Sequence, residues 1–259
     1  MTLVWRPDYN GTPGKMTLAQ EFTWNETVWN PSMLSTALWL DAAATATISI
    51  NSGNVTEWRD KKSNGLAYAQ VTSSYQPTYT SGGLNQLPVV TYGGDDFLSN
   101  TIGFQPYRSA AIVYRDSSTV ANVTPLGSVI DGPSGSYHGF DDNTQIFSAA
   151  YTDPKTLNGQ NYRDGASIGD GLTTARPSSV CIQAHVATGN LTQPLTVIGA
   201  DNANPNTRAI TGIIAEVIIS PLAWSSLERQ KIEGYLAHKW ALTADLPSDH
   251  PYKLVGPTP

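Results

Sequence analysis

The pattern of hydrophobic positions changes character within residues 212–240, and that stretch organises the rest of the chain. Gly212-Ile213-Ile214-Ala215-Glu216-Val217-Ile218-Ile219 is rich in β-branched residues and stops at the Ser220-Pro221 breaker, which predicts a buried strand. From Ser225 the period becomes helical. Ser225-Ser226-Leu227-Glu228 is a capping box, in which the serine hydroxyl and the glutamate three residues on satisfy first-turn N–H groups. Ile232, Tyr235, Leu236 and Trp240 then share one face, which predicts a helix over 226–240. One helix in a chain full of strand signals has to pack on a sheet or cap its end, so this stretch is expected to be the clasp of the fold.

Upstream, short apolar or alternating runs predict strands at 37–41, 55–59, 76–79, 87–92, 110–115, 126–130, 137–140, 144–149, 180–186 and 195–199. Residues 42–47 read as a short helical turn. Asn51-Ser52-Gly53-Asn54 and Gly93-Gly94-Asp95-Asp96 read as turns, and 153–177 as a long polar loop region with four glycines. No internal repeat is present. Closely spaced turn signals between short strands point to an all-β antiparallel sandwich.

Composition narrows the function classes. At 259 residues the chain suits one large β domain. The net charge of −6 argues against nucleic acid or an anionic membrane as partner, because a phosphate backbone calls for a basic surface. Cys181 is the single cysteine, so no internal disulfide forms, and Val180-Cys181-Ile182 reads as a small buried hydrophobe. No segment is long and apolar enough to span a membrane, and Met1-Thr2-Leu3-Val4-Trp5-Arg6-Pro7-Asp8 lacks the apolar run of a secretion signal.

Several motifs occur in a familiar order. They are Leu38-Trp39-Leu40-Asp41-Ala42-Ala43, Trp58-Arg59-Asp60-Lys61, Leu87-Pro88-Val89-Val90 with Asp95-Asp96-Phe97-Leu98, and Ile214-Ala215-Glu216-Val217-Ile218-Ile219. Gly234-Tyr235-Leu236-Ala237-His238-Lys239-Trp240 and His250-Pro251-Tyr252 follow. In this order they resemble the concanavalin A-like lectin/glucanase superfamily, in the laminin-G-like branch found in phage and bacterial surface proteins. The resemblance implies a jelly-roll β-sandwich over 34–259 with one C-terminal helix, preceded by an extended arm over 1–33. The turn at Asp60-Lys61-Lys62-Ser63-Asn64-Gly65 departs from the family's form by an extra lysine and a missing glycine. Glucanases of the superfamily carry a Glu-x-Asp-x-x-Glu strand motif whose alternation aims the carboxylates at one face. None of the six glutamates here has a carboxylate two residues on. The resemblance therefore implies a non-catalytic, lectin-like virion component of a phage tail, fibre or capsid surface; the alternative is a carbohydrate-active enzyme or its binding module.

Glycan recognition needs aromatic faces and short polar side chains. Two stretches have that mix, one with Tyr137, His138, Asp141 and Asn143, the other with Asn161, Tyr162 and Arg163. Calcium is a possible cofactor, with Asp141, Asp142, Asp164 and Asp170 as the best oxygen clusters, although Asp and Asn are also ordinary turn residues. In the arm, Trp5, Trp24 and Trp29 form an aromatic trio with two readings: an edge strand folded back on its own domain, or an anchor on another copy or a different virion protein. The expected partners are thus other virion proteins and host-surface glycan, with no nucleic acid and no membrane insertion.

Overall fold

The structure is a computed structural model that describes residues 29–62, 65–104, 106–119, 123–127, 144–191, 193–201 and 208–259. Its centre is β14 (Thr211–Ser220), the strand read from the β-branched run. One edge of β14 pairs along its length with β8 (Tyr107–Asp116). The other edge pairs first with β6 (Leu87–Gly93) and then with β1 (Leu38–Asp41). The backbone of so hydrophobic a strand is thereby paired on both edges.

The ladder continues away from β14 in both directions. Beyond β8 come β12 (Cys181–Leu191), β10 (Gln160–Arg163) and β11 (Ala166–Ser167). Beyond β6 come β5 (Thr78–Leu84), β3 (Asn54–Arg59), β4 (Ala67–Ala69), β7 (Leu98–Phe104), β13 (Leu195–Ile198) and β9 (Leu126–Gly127), with β2 (Ile48–Asn51) beside β3. All these pairings are antiparallel. The β2–β3 hairpin turns through Ser52-Gly53 and the β5–β6 hairpin through Asn85-Gln86, each with two consecutive positive φ angles, as the right-handed twist of the flanking strands requires.

Two apolar cores lie on opposite faces of β14. Ile214, Val217 and Ile219 join Leu38, Leu40, Ile112 and Tyr114 in the first, together with Trp58, Tyr68, Leu98, Leu126 and Leu195 from the far half of the strand order. The two halves of the sheet therefore share one core, as the layers of a sandwich do. Ile213, Ala215 and Ile218 face the second core, which Trp29, Trp39, Val113 and Ile182 build with Ile232, Tyr235, Leu236 and Trp240. Those last four residues lie on the C-terminal helix, Ser226–Trp240. Both halves of its capping box are made: Ser225 N donates to Glu228 Oε2 at 2.7 Å and Glu228 N to Ser225 Oγ at 3.2 Å. The helix ends at Ala241 in the left-handed conformation, where Leu242 N closes on Ala237 O.

The Trp58-Arg59-Asp60-Lys61 motif seals the outer edge of β1. Trp39 N donates to Asp60 Oδ1 at 2.8 Å, and Lys61 N donates to Trp39 O at 2.8 Å. The stretches at 38–43 and 58–61 are thus two sides of one contact.

Two expected elements differ. Residues 144–149 form no strand: Ile146 and Phe147 are buried in succession, and the Ser148 hydroxyl accepts from Ala150 N and Tyr151 N to make a turn. Only Gln145 bridges, to Ala175. The 153–177 region is more regular than a loop. Asp153 caps a helical turn at Pro154–Leu157, and β10 and β11 form a hairpin over Asp164-Gly165, both at positive φ. That Asp-Gly pair is a hairpin signal concealed by polar surroundings. The expected strand at 126–130 is described only as far as Gly127, and 137–140 lies outside the described residues.

Because the helix is held by burial more than by its cap, the Ser225→Ala variant should lose about 1 kcal/mol of stability. Trp240→Ala, which empties the second core, should lose about 3–5 kcal/mol. Urea denaturation of both variants measures the difference, and equal losses would contradict this account of the helix.

Candidate functional site

Two groups of buried polar side chains flank the sheet, and they differ in kind. The first is charged and partnered. At the register shift between Ile214 and Glu216 the β14–β8 ladder gains one residue, so Glu216 lies opposite Val113 and reaches the helix side beside Ala215. There Glu216 Oε1 accepts from Trp39 Nε1 at 2.6 Å and from the Tyr235 hydroxyl at 3.0 Å. Its Oε2 accepts from Trp240 Nε1 and Lys239 Nζ, each at 2.7 Å. Lys239 Nζ also donates to Asp41 Oδ1 at 2.6 Å, and Lys61 Nζ to Asp41 Oδ2 at 2.7 Å. Burial pushes the Glu216 carboxyl up, against the pull of Lys239, while Lys239 and Lys61 together outweigh burial and hold Asp41 below the usual carboxylate range.

The second group is mostly neutral and incompletely partnered. In the β10–β12 ladder Asn161 lies opposite His185 and Arg163 opposite Gln183; in the β12–β8 ladder Cys181 lies opposite Tyr114. Directly opposed residues share a face, so Asn161, Arg163, Cys181, Gln183 and His185 form a polar patch continuous with the first core. Asn161, Gln183 and His185 are fully buried. Asn161 Nδ2 donates to Thr156 O at 2.9 Å and Gly169 O at 3.2 Å, whereas its Oδ1 and both polar atoms of the Gln183 amide find no protein partner. Burial pushes the His185 imidazole down to about 3, so it is neutral at pH 7. A buried amide without a partner is costly, and such groups are ordinarily satisfied by ordered water or a bound molecule.

The sequence-predicted ligand residues fall as follows. Asn161 and Arg163 share the patch, but Tyr162 points to the opposite face of β10, where the Arg229 guanidinium lies 3.6 Å over its ring. Tyr137, His138, Asp141, Asp142 and Asn143 lie outside the described residues. Their neighbours are nonetheless placed. Ile146 N donates to Thr174 O and Arg176 N to Thr144 O, each at 2.8 Å, and the Arg163 guanidinium donates to Ala175 O. Residues 144–146 are therefore carried to the 174–176 segment that Arg163 holds.

The calcium candidates separate. Asp164 Oδ1 accepts from Ile182 N at 2.7 Å, and Asp170 Oδ1 from Leu172 N at 3.0 Å, each as a turn residue. Among the described residues no three His, Cys, Asp or Glu side chains converge on a point. Trp29 packs edge-on to Tyr235, with ring centres 6.1 Å apart, in the second core of its own domain. Trp5 and Trp24 lie outside the described residues.

Sequence reasoning overlooked Gln183 and His185 as a pair and Lys239 with Asp41 as a pair. The first had a signal: Cys181, Gln183 and His185 alternate with Ile182, Ala184 and Val186, a period-two polar stripe inside a buried strand. The second had none, because its members are far apart in the chain. Comparison with family models, with curated proteins and with solved structures finds no match to this chain.

Asp164 supplies a pH test. Burial pushes its carboxyl up to about 6 from an ordinary 3.8, with Asp245 and Glu233 adding to the rise and the Ile182 N–H opposing it. A raised carboxyl stabilises the fold below its unfolded value and loses that contribution as pH climbs through the folded value. The native chain should therefore lose stability, relative to Asp164→Asn, between about pH 4 and pH 6. Parallel melting curves of the two proteins across this window would contradict the assignment.

Proposed function

We propose that this chain is a non-catalytic virion structural and adhesion protein whose sandwich, a jelly roll of the concanavalin A-like kind, binds glycan. The observation that carries the reading is Arg163 beside buried amides whose bonding capacity is unspent. Its guanidinium donates to Ala175 O, and it shares a face with Asn161, Gln183 and a neutral imidazole. Glycan hydroxyls are neutral and bond equally well to donors and acceptors, so they suit amides and a guanidinium better than paired carboxylates. The buried carboxylates nearest the helix are already engaged: Glu216 and Asp41 by lysines and indoles, Glu233 by Arg229 and His250. Family order among the motifs supports the jelly roll, and the seal between 58–61 and β1 gives that order a structural reason.

The segment before Trp29 is proposed as the attachment arm, docking on other virion proteins or on further copies of the chain. Its aromatic load, Trp5 and Trp24, supports this, since indoles are favoured anchors at protein interfaces.

Incubation with a glycan array and a polysaccharide panel tests the binding reading. Binding without release of reducing ends is expected, and Arg163→Ala should weaken it roughly tenfold or more, the cost of one charge-assisted hydrogen bond. Reducing ends released at enzyme-like rates would replace this reading with that of a carbohydrate-active enzyme.

A truncation that starts at Trp29 tests the arm. It should keep the melting temperature and glycan binding of the whole chain while failing to join the particle. Normal incorporation would rule the anchor out.

A further inference from the structure

We propose that Lys239 and Asp41 form a covalent amide cross-link inside the folded protein, made by the protein itself with Glu216 as proton carrier and Lys61 as the stabilising cation. This inference is independent of glycan binding and rests on the geometry of the charged group alone. Lys239 Nζ lies 2.6 Å from Asp41 Oδ1, with its carbon one bond beyond, so amine and carboxyl are held in direct contact. Lys239 Nζ is also 2.7 Å from Glu216 Oε2, and Lys61 Nζ is 2.7 Å from the other Asp41 oxygen, Oδ2. An amine, the carboxyl it would attack, a second carboxylate to take its proton and a cation on the far oxygen thus meet at one point.

The surroundings favour the reaction. Asp41 and Glu216 are buried and 5% of the Lys239 side chain is accessible, the group being enclosed by the indoles of Trp39 and Trp240 and the ring of Tyr235. Amide formation expels water, so a site closed to bulk water shifts that equilibrium towards the amide. Two Glu216 oxygens held by indole and phenol donors keep the carboxylate aimed at Nζ. Burial works against the Lys239 charge and raises the affinity of Glu216 for a proton, whereas the two carboxylates hold the lysine protonated at rest. The step begins with a proton passing from Nζ to Asp41 Oδ1 along their hydrogen bond, which leaves a free amine beside a neutral acid.

The balance is simple. The freed Nζ lone pair attacks Cγ of the neutral Asp41 acid, and charge grows on Oδ2, where the Lys61 ammonium stabilises it. Glu216 takes the second Nζ proton and passes it to the Oδ1 hydroxyl, the Cγ–Oδ1 bond breaks and Oδ1 leaves as water. One N–C bond forms, one C–O bond breaks, Nζ gives up two protons to the departing water, and Glu216 and Lys61 end as they began. No oxidant, reductant or co-reactant takes part. Lys61 is the partly exposed member, with 27% of its side chain accessible, so water has a path out on that side. The product ties β1 to the C-terminal helix and closes most of the domain into one covalent loop, which suits a protein under mechanical load.

Intact-mass measurement of the full-length native protein under denaturing conditions, followed by peptide mapping, decides the matter. The expected result is a chain lighter by one water, with a branched peptide joining the Asp41 segment to the Lys239 segment. Lys239→Arg should restore the full mass. Glu216→Gln, if folded by circular dichroism, should remain unlinked. The native measurement stands without either variant. Unmodified, linear Asp41 and Lys239 peptides from folded protein would overturn the proposal. So would a water loss that maps instead to a succinimide at an Asp-Gly pair such as Asp164-Gly165.

Discussion

A buried carboxylate has to be matched by donors, and the architecture near the helix is built around matching one. Glu216 sits in the most hydrophobic strand of the chain, where an unpaired charge would cost several kcal/mol. Trp39 comes from β1, Trp240, Tyr235 and Lys239 from the helix, and Lys239 carries the charge balance on to Asp41. None of these donors can be shifted by a turn of helix or a residue of strand without orphaning the carboxylate. The helix is therefore fixed in register and rotation by electrostatics as well as by its apolar face. Replacing one partner alone leaves the others buried and uncompensated.

The extra residue at Ala215 is what makes this arrangement possible. Without the bulge, strict alternation would turn residue 216 to the opposite side, into the first core among Leu40 and Ile112, where nothing can neutralise it. With it, Ala215 and Glu216 both look towards the helix, and alternation resumes with Val217 inward. The small Ala215 side chain leaves room for the neighbouring carboxylate. One inserted residue thus settles which face carries charge and which stays apolar.

Strong, local patterns were legible in the sequence. The β14 run, the capping box, the apolar helix face and the Ser52-Gly53 turn each encode their element within a few residues, and the structure forms all of them. The hairpin of β10 and β11 was not, because its strands are short, polar and at the sheet's end, where no alternating apolar face is needed. Residues 144–149 misled for the opposite reason: apolar residues that read as a strand are buried by a turn packed on neighbouring loops. The separation of Tyr162 from Asn161 and Arg163 follows from the pleat, which neighbours in sequence disguise. The all-β antiparallel class was legible from turn spacing. The contacts between 58–61 and β1, or between Lys239 and Asp41, are long-range, and no local pattern announces them.

The two buried polar groups also differ in how far their bonding capacity is met. Around Glu216 and Asp41 the charged groups are matched by opposite charges and indole donors, so the site gains nothing from an incoming molecule and any ligand would have to displace a short, charge-assisted bond. On the patch of β10 and β12 the situation is reversed. The Gln183 amide and Asn161 Oδ1 lie buried with bonding capacity unspent, in a face kept neutral by the suppressed His185. A site of that kind gains free energy from whatever supplies its missing partners, be it ordered water or a polar ligand at the Arg163 rim. The fold therefore rests on the saturated group, and recognition is best sought at the unsaturated one.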